Sequence, residues 1–226
     1  MCLDLLDDRR TRRGLIREGR LLKRLTHPHI VRAYETIEQP HPTLILETLT
    51  GATLAYLIDI SHRRLPLSDI VHLGLHLCSA IHYLHRRGIL HLDLKPSNIV
   101  SERQLAKVLD LSVARPPGNG VKGVGTANYM SPEQARGDAL GPAADVWGIG
   151  AVLFEAAAGE EPFDAYDDET RYEQLERRAD SIRSHRRVPR AFAAAVDACL
   201  EPDPAERPTV KDLMGTLNEL DQPRSS

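Results

Sequence analysis

Paired cysteines, long apolar runs and a surplus of charge of either sign are all missing from this 226-residue sequence. The three cysteines, Cys2, Cys78 and Cys199, lie far apart, form no CxxC motif and are odd in number, which argues against a disulfide framework. A reduced, cytoplasmic chain is the simplest reading. No apolar run approaches the ~20 residues needed to span a bilayer. The most apolar stretch, "IGAVLFEAAAG", is shorter and carries Glu155. The opening "MCLDLLDDRR" places acids where a secretion signal needs cations. A formal net charge of −3 provides no overall attraction to nucleic acid or to an acidic membrane, so neither is expected as a partner. Against these absences, 42% of the residues are hydrophobic and 27% charged, enough for one large domain or two lobes sharing an interface.

Periodicity places the elements. "LIREGRLLKRL" sets Leu15, Ile16, Leu22 and Leu25 roughly on one helical stripe, and Pro28 discourages helix beyond it. "IVRAYET" and "PTLILET" read as short strands. A Thr53 N-cap leads into a helix over "LAYLIDI", and Ser68 is placed to cap a longer one that Gly88 closes. "IVS" and "AKVLD" suggest a small hairpin. From Pro142 onward the pattern is helical, with a capping box at Thr209 and Asp212 starting the last helix. The sum is an α+β chain, a small α/β lobe on a larger helical one. His72 and His76 stand four apart on the long helix, yet without an HExxH glutamate they read as ordinary helix histidines. The run "RRTRR" at 9–13 adjoins Asp7 and Asp8 and reads as a solvated helix start, with phosphate contact as its alternative.

The stretch "HLDLKPSN" concentrates chemistry. A carboxylate at Asp93 can accept the proton of an attacking hydroxyl, and Lys95 can neutralise phosphoryl charge. Asn98 offers a hard, neutral oxygen to Mg²⁺, and Asp110 in "KVLDLSVAR" supplies a second ligand directly after a strand. Together these groups fit phosphoryl transfer. The sequence resembles a Hanks-type (eukaryotic-type) serine/threonine protein kinase of the bacterial kind over nearly its whole length. "HLDLKPSN" is similar to the catalytic loop, "DLS" to the metal-binding DFG, and "GTANYMSPE" to the segment that seats a peptide. "DVWGIG" is similar to the buried helix whose aspartate, here Asp145, holds the catalytic loop, and Arg207 in "ERPT" matches the partner of Glu133.

The resemblance implies a bilobal kinase-like fold. Residues 1–50 would form a truncated N-lobe, 51–220 a helical C-lobe and 221–226 a disordered tail. It implies ATP and Mg²⁺ as cofactors and a protein Ser/Thr hydroxyl as acceptor. Asp93 and Lys95 would be catalytic, and Asn98 and Asp110 would hold metal. Glu47 and Leu49 backbone groups would meet the adenine, with Leu46 behind it and Glu18 as the helix-C glutamate.

Departures from the family pattern are specific. The helix-C match begins almost at Met1, and the first lysine is Lys23, so neither a glycine-rich phosphate loop nor a strand lysine precedes Glu18. Glu18 is then equally readable as a surface carboxylate. "GNGVKG" spells G-x-G-x-x-G but follows Pro116 and Pro117 rather than a strand, and reads as a mobile piece of the activation segment. Leu92 stands where an arginine usually precedes the catalytic aspartate, and no Ser, Thr or Tyr lies between Ala114 and Gly125, which excludes phosphorylation there. Ser112 replaces the DFG glycine. Losing one preorganised donor such as the lysine typically costs ~3–4 kcal/mol, or roughly 10²–10³ in rate. Weak turnover is therefore expected unless an upstream segment supplies both elements. The alternatives are a pseudokinase acting as an interaction module, and a small-molecule phosphotransferase, against which "GTANYMSPEQ" and "DVWGIG" argue.

Overall fold

The computed structural model describes residues 9–61, 64–164 and 171–222. The tail expected to be disordered falls largely outside them, and helix reaches Asp221. The first helix, α1 (Arg9–Leu22), starts earlier than the apolar stripe suggested. Leu22 and Leu25 are buried, whereas Leu15 and Ile16 are half-buried. It packs on an antiparallel hairpin of β1 (Ala33–Ile37) and β2 (Thr43–Leu46). The contact is close at Gly19, where a Cβ would lie 2.3 Å from the Thr36 hydroxyl, so only glycine lets the helix approach so near. Together they make the small lobe. Tyr34, Ile37, Ile45 and Leu46 on its strands are exposed.

The larger lobe begins with a three-stranded sheet in the order β3 (Ala52–Thr53), β4 (Ile99–Glu102), β5 (Leu105–Val108). The β4–β5 hairpin turns on Arg103 and Gln104, at φ of 50° and 68°, the mirror-turn geometry that matches strand twist. Thr53 caps α2 (Leu54–Ser61) as its sequence suggested, its hydroxyl accepting from the Tyr56 amide at 3.2 Å. Ser68 does not cap α3 (Leu67–His85). Pro66 takes the cap position, with a φ suited to helix entry, and the Ser68 hydroxyl donates to Asp69 instead. The capping box of α8 (Val210–Asp221) is present, with Thr209 and Asp212 bonding reciprocally.

The core lies where α3, α5 (Pro142–Ala158), α7 (Arg190–Cys199) and α8 meet. Helix α5 is buried from Ala144 to Ala158, which explains why its sequence is apolar on all faces. Cys78 and Cys199 sit inside this core, and burial pushes the Cys78 thiol up to about 12, so it stays protonated. Among the described residues no helix is long and apolar enough to cross a membrane. His72 pairs with Asp221 at 2.8 Å, and His76 stacks on His29 with ring centroids 4.1 Å apart, so the two do not converge on a shared metal.

The activation stretch is tied down rather than loose. β6 (Gly118–Asn119) pairs with β7 (Ala139–Leu140), and the Gly120 amide donates to the Asp138 carbonyl. A Cβ at Gly120 would meet that carbonyl at 2.2 Å. Of the glycines of "GNGVKG", Gly120 therefore serves close backbone packing, whereas Gly118 has open space around it and Gly123 faces the Tyr172 side chain. Beside them, α4 (Pro132–Arg136) starts from a Ser131–Gln134 capping box. α6 (Ile182–His185) completes the helices.

Glu133 on α4 is tied to Arg207 by a two-pronged ion pair at 2.7 and 2.9 Å, with side-chain exposures of 4% and 0%. The guanidinium also donates to the carbonyls of Glu201, Ala143 and Pro202 and lies over the Trp147 ring. Every prong is satisfied, so the pair fastens the activation segment to the helical core. Removing one charge strands the other. Glu133→Gln should lower unfolding stability by about 3–5 kcal/mol. Urea denaturation checks this, and a loss under about 1 kcal/mol would contradict it.

Candidate active site

Asp145, near the start of α5, is the anchor of the catalytic loop. One carboxylate oxygen accepts from the Leu92 amide at 2.8 Å. The other accepts from the His91 amide at 2.9 Å and meets His85 Nε2 at 2.7 Å. Leu92 is held at a φ of 66°, a conformation that costs a leucine roughly 1–2 kcal/mol. The surroundings over-determine it. Its amide is bound by Asp145, its side chain is buried, and its carbonyl accepts from Gln134 Nε2 at 2.8 Å.

The loop so shaped brings the sequence-predicted groups together. Thr126 donates its hydroxyl to Asp93 Oδ1 at 2.6 Å and accepts from Lys95 Nζ at 2.7 Å. Lys95 also lies 3.2 Å from Asp93 Oδ2. Asn98 donates its amide nitrogen to the same oxygen and to the Asp93 carbonyl, both at 3.0 Å. That leaves the Asn98 amide oxygen as the face able to meet a cation.

Asp110 is joined to this loop through the backbone. Ile99 is paired with Val108 across the β4–β5 hairpin, and the Leu109 amide donates to the Asn98 carbonyl at 2.8 Å. The backbones of Asn98 and Asp110 thus leave the same end of the hairpin. Asp110 sits at a φ of 57°, tolerable for aspartate, and one of its oxygens accepts from the Ser112 amide at 2.9 Å. A neutral amide oxygen and a carboxylate fit Mg²⁺ by their chemistry, since that ion keeps several waters and needs few protein ligands. The chemistry of the donors suits the ion. Among the described residues there is no cluster of three or more His, Cys, Asp or Glu.

Glu18 is not a surface carboxylate. It is 9% exposed, and its Oε1 accepts from the Leu111 amide at 2.9 Å. Burial raises its pKa above the ordinary carboxylate value, opposed by that hydrogen bond, and the nearby Asp110 charge raises it further. Among the described residues no lysine pairs with it. In the hinge, the Glu47 amide donates to the Arg32 carbonyl at 2.9 Å, so at most its carbonyl is left to face a base. The Glu47 carboxylate binds Lys107 at 2.7 Å and the Arg32 amide at 2.9 Å. Leu49 is half-buried against the core, and Leu46 is 36% exposed.

A protein kinase domain model matches residues 4–217. This chain belongs to the protein kinase family. The serine/threonine-protein kinase PknB of Mycobacterium tuberculosis is 38% identical over 162 residues, covering 65% of this chain and 25% of the relative. PknB of Mycobacterium leprae is 37% identical over 161 residues, with the same coverage. The SNF1-related protein kinase catalytic subunit alpha KIN12 of Arabidopsis thaliana is 33% identical over 175 residues, covering 75% of this chain and 35% of the relative. The chain therefore spans about a quarter to a third of the length of these relatives. The fold is that of a kinase domain, with a small N-lobe and a mainly helical C-lobe.

Several contacts of this kinase domain were not visible as sequence signals. Thr126 sits inside "GTANYMSPE", but nothing in that string says its hydroxyl bridges Asp93 and Lys95. Gln134 Nε2 also reaches the Val124 carbonyl at 3.1 Å, joining the activation segment to the catalytic loop. Gln174, from the chain beyond α5, donates to the carbonyls of Ala127 and Met130 at 2.9 Å each.

Below this segment, Tyr129 lies between two carboxylates, 2.6 Å from Glu155 Oε2 and 3.0 Å from Glu161 Oε1. One phenol proton can serve only one of them at a time. Burial lifts the Glu155 pKa to about 7, opposed by the Tyr129 hydrogen bond and reinforced by the Glu161 charge. The folded protein holds that proton more tightly than the unfolded chain does. The stability it contributes is full below the ordinary value of 4.5 and is lost as pH rises through about 7. Glu155→Gln should therefore flatten the fall in melting temperature between about pH 5 and 8. An unchanged slope in thermal melts would contradict the assignment.

Proposed function

We propose that this kinase domain transfers the γ-phosphoryl of ATP to Ser or Thr hydroxyls of proteins, with Mg²⁺ as the metal. The observation that carries the reading is the hydrogen-bonded set Asp93, Lys95, Thr126 and Asn98, with Asp110 joined to it through the backbone. Asp93 is acceptor-only when ionised and already accepts a hydrogen bond from the Thr126 hydroxyl, which supports its accepting one from an incoming alcohol. Lys95, held by Thr126 and Asp93, presents its charge where a phosphoryl group would meet that alcohol. Bound Mg²⁺ would neutralise phosphate charge as a Lewis acid, with Asn98 and Asp110 as its protein ligands. The Glu47 carbonyl and the Leu49 backbone would orient the adenine, with Leu46 behind it. The names of the mycobacterial relatives support Ser/Thr rather than Tyr as acceptor. A cytoplasmic protein substrate completes the reading.

One observation favours a second reading, a pseudokinase that serves as an interaction module. The Glu18 carboxylate is engaged with the Leu111 amide and lies near the Asp110 charge, with no lysine pairing it among the described residues.

Radiolabel transfer from Mg·ATP to a generic protein substrate separates the two. Asp93→Asn should lower the rate by about 10²–10⁴, the usual contribution of a positioned base. Thr126→Val, which removes the bridge while leaving Asp93, should lower it by roughly tenfold or more. Equal background from wild type and Asp93→Asn would reject the kinase reading for this chain and leave the interaction module.

A further inference from the structure

The arginines of α1 lead away from the catalytic cluster to a second site. Arg13, Arg17 and Arg20 recur on one stripe of the helix and, with Arg24 from the turn that follows it, line a groove of about 600 Å³ that Arg115 from the segment after Asp110 also lines. The groove opens into an adjoining hollow that shares Arg13, Arg17 and Arg115. Among its lining residues the only carboxylate is Glu38, which is paired with Arg20 at 2.8 Å. Arg17 donates to the Ser112 carbonyl and Arg115 to the Asn119 carbonyl. The guanidinium groups of Arg13 and Arg24 have no ion-pair or hydrogen-bond partner among the described residues, although the whole chain carries a net charge of −3. The cationic excess is thus local. Ile16, Leu21 and Ile89 add apolar surface to the same groove.

We propose that this groove is a docking site for a phosphorylated peptide segment of another protein. Guanidinium forks approaching from two elements match the oxygens of a phosphate dianion better than they match a single carboxylate. The apolar lining gives the residues flanking that phosphate a place to bury, which an inorganic anion or a nucleic-acid backbone does not require. The chain cannot supply the phosphate from the stretch that faces the groove, because residues 113–125, "VARPPGNGVKGVG", contain no Ser, Thr or Tyr. Ligand at this site would touch Arg17, whose bond to Ser112 lies two residues from Asp110, while the neighbouring Glu18 holds Leu111. The proposal stands apart from the phosphoryl-transfer reading, since docking is measured without nucleotide.

Fluorescence anisotropy tests it with a labelled peptide carrying phosphothreonine between leucines. Its unphosphorylated twin, inorganic phosphate, phosphatidylserine vesicles and polyuridine RNA serve as comparisons. The phosphopeptide should bind at least about tenfold tighter than its twin, a charge-assisted hydrogen bond being worth roughly a decade. The double variant Arg13→Gln, Arg24→Gln should weaken it by about tenfold or more with an unchanged melting temperature, because both side chains are exposed. Equal affinity for the twin, equal affinity of the variant, or tighter Arg13- and Arg24-dependent binding of vesicles or RNA would overturn the proposal.

Discussion

A single buried carboxylate sets the shape from which the candidate chemistry follows. Asp145 lies in the core, 1% exposed, and three groups of the catalytic loop and α3 converge on its two oxygens. Burying a carboxylate this deeply is unfavourable unless hydrogen bonds satisfy it. Here they also hold Leu92 in a backbone conformation that leucine avoids, which turns the chain so that Asp93, Lys95 and Asn98 follow in a tight group. Without Asp145 the Leu92 strain would be unopposed from the amide side, and Asp93 would lose its fixed position relative to Asp110.

The helical core supports that carboxylate in turn. Helix α5 carries Asp145 near one end and Glu155 near the other, so one buried helix meets both the catalytic loop and Tyr129 of the activation segment. Arg207 ties the segment down a second time through Glu133. Gln134 and Gln174, both buried, supply the remaining cross-links to backbone carbonyls. The activation segment of this domain is thereby held by the Gln134 and Gln174 amides, by the bonds of Thr126 to Asp93 and Lys95, and by the Glu133–Arg207 ion pair. None of these contacts uses a phosphate, in keeping with a stretch that has no residue to carry one between Ala114 and Gly125.

The C-lobe was legible in the sequence because its motifs are contiguous. "HLDLKPSN" and "VLDLS" each place their functional groups within a few residues, and a two-stranded hairpin joins them, so local spacing determines much of the geometry. The capping box at Thr209 followed from its own spacing, and the Glu133–Arg207 pair from the family resemblance. What was not legible depends on distant partners. Whether Glu18 is exposed depends on Leu111, far along the chain, and Thr126 becomes part of the site only because the activation segment folds back over Asp93. In "GNGVKG" the middle glycine is required by a distant partner, the Asp138 carbonyl that Gly120 must approach. The start of α3 was misplaced by one cap, where Pro66 outcompetes Ser68.

The central claim is that Asp145 fixes the catalytic loop, and native-state hydrogen exchange at the His91 and Leu92 amides tests it most directly. Both amides should exchange as slowly as the core of α5 in the wild-type chain, and Asp145→Ala should release both while amides in α8 remain protected. Fast exchange of the two amides in the wild type, or protection that survives the substitution, would contradict the account.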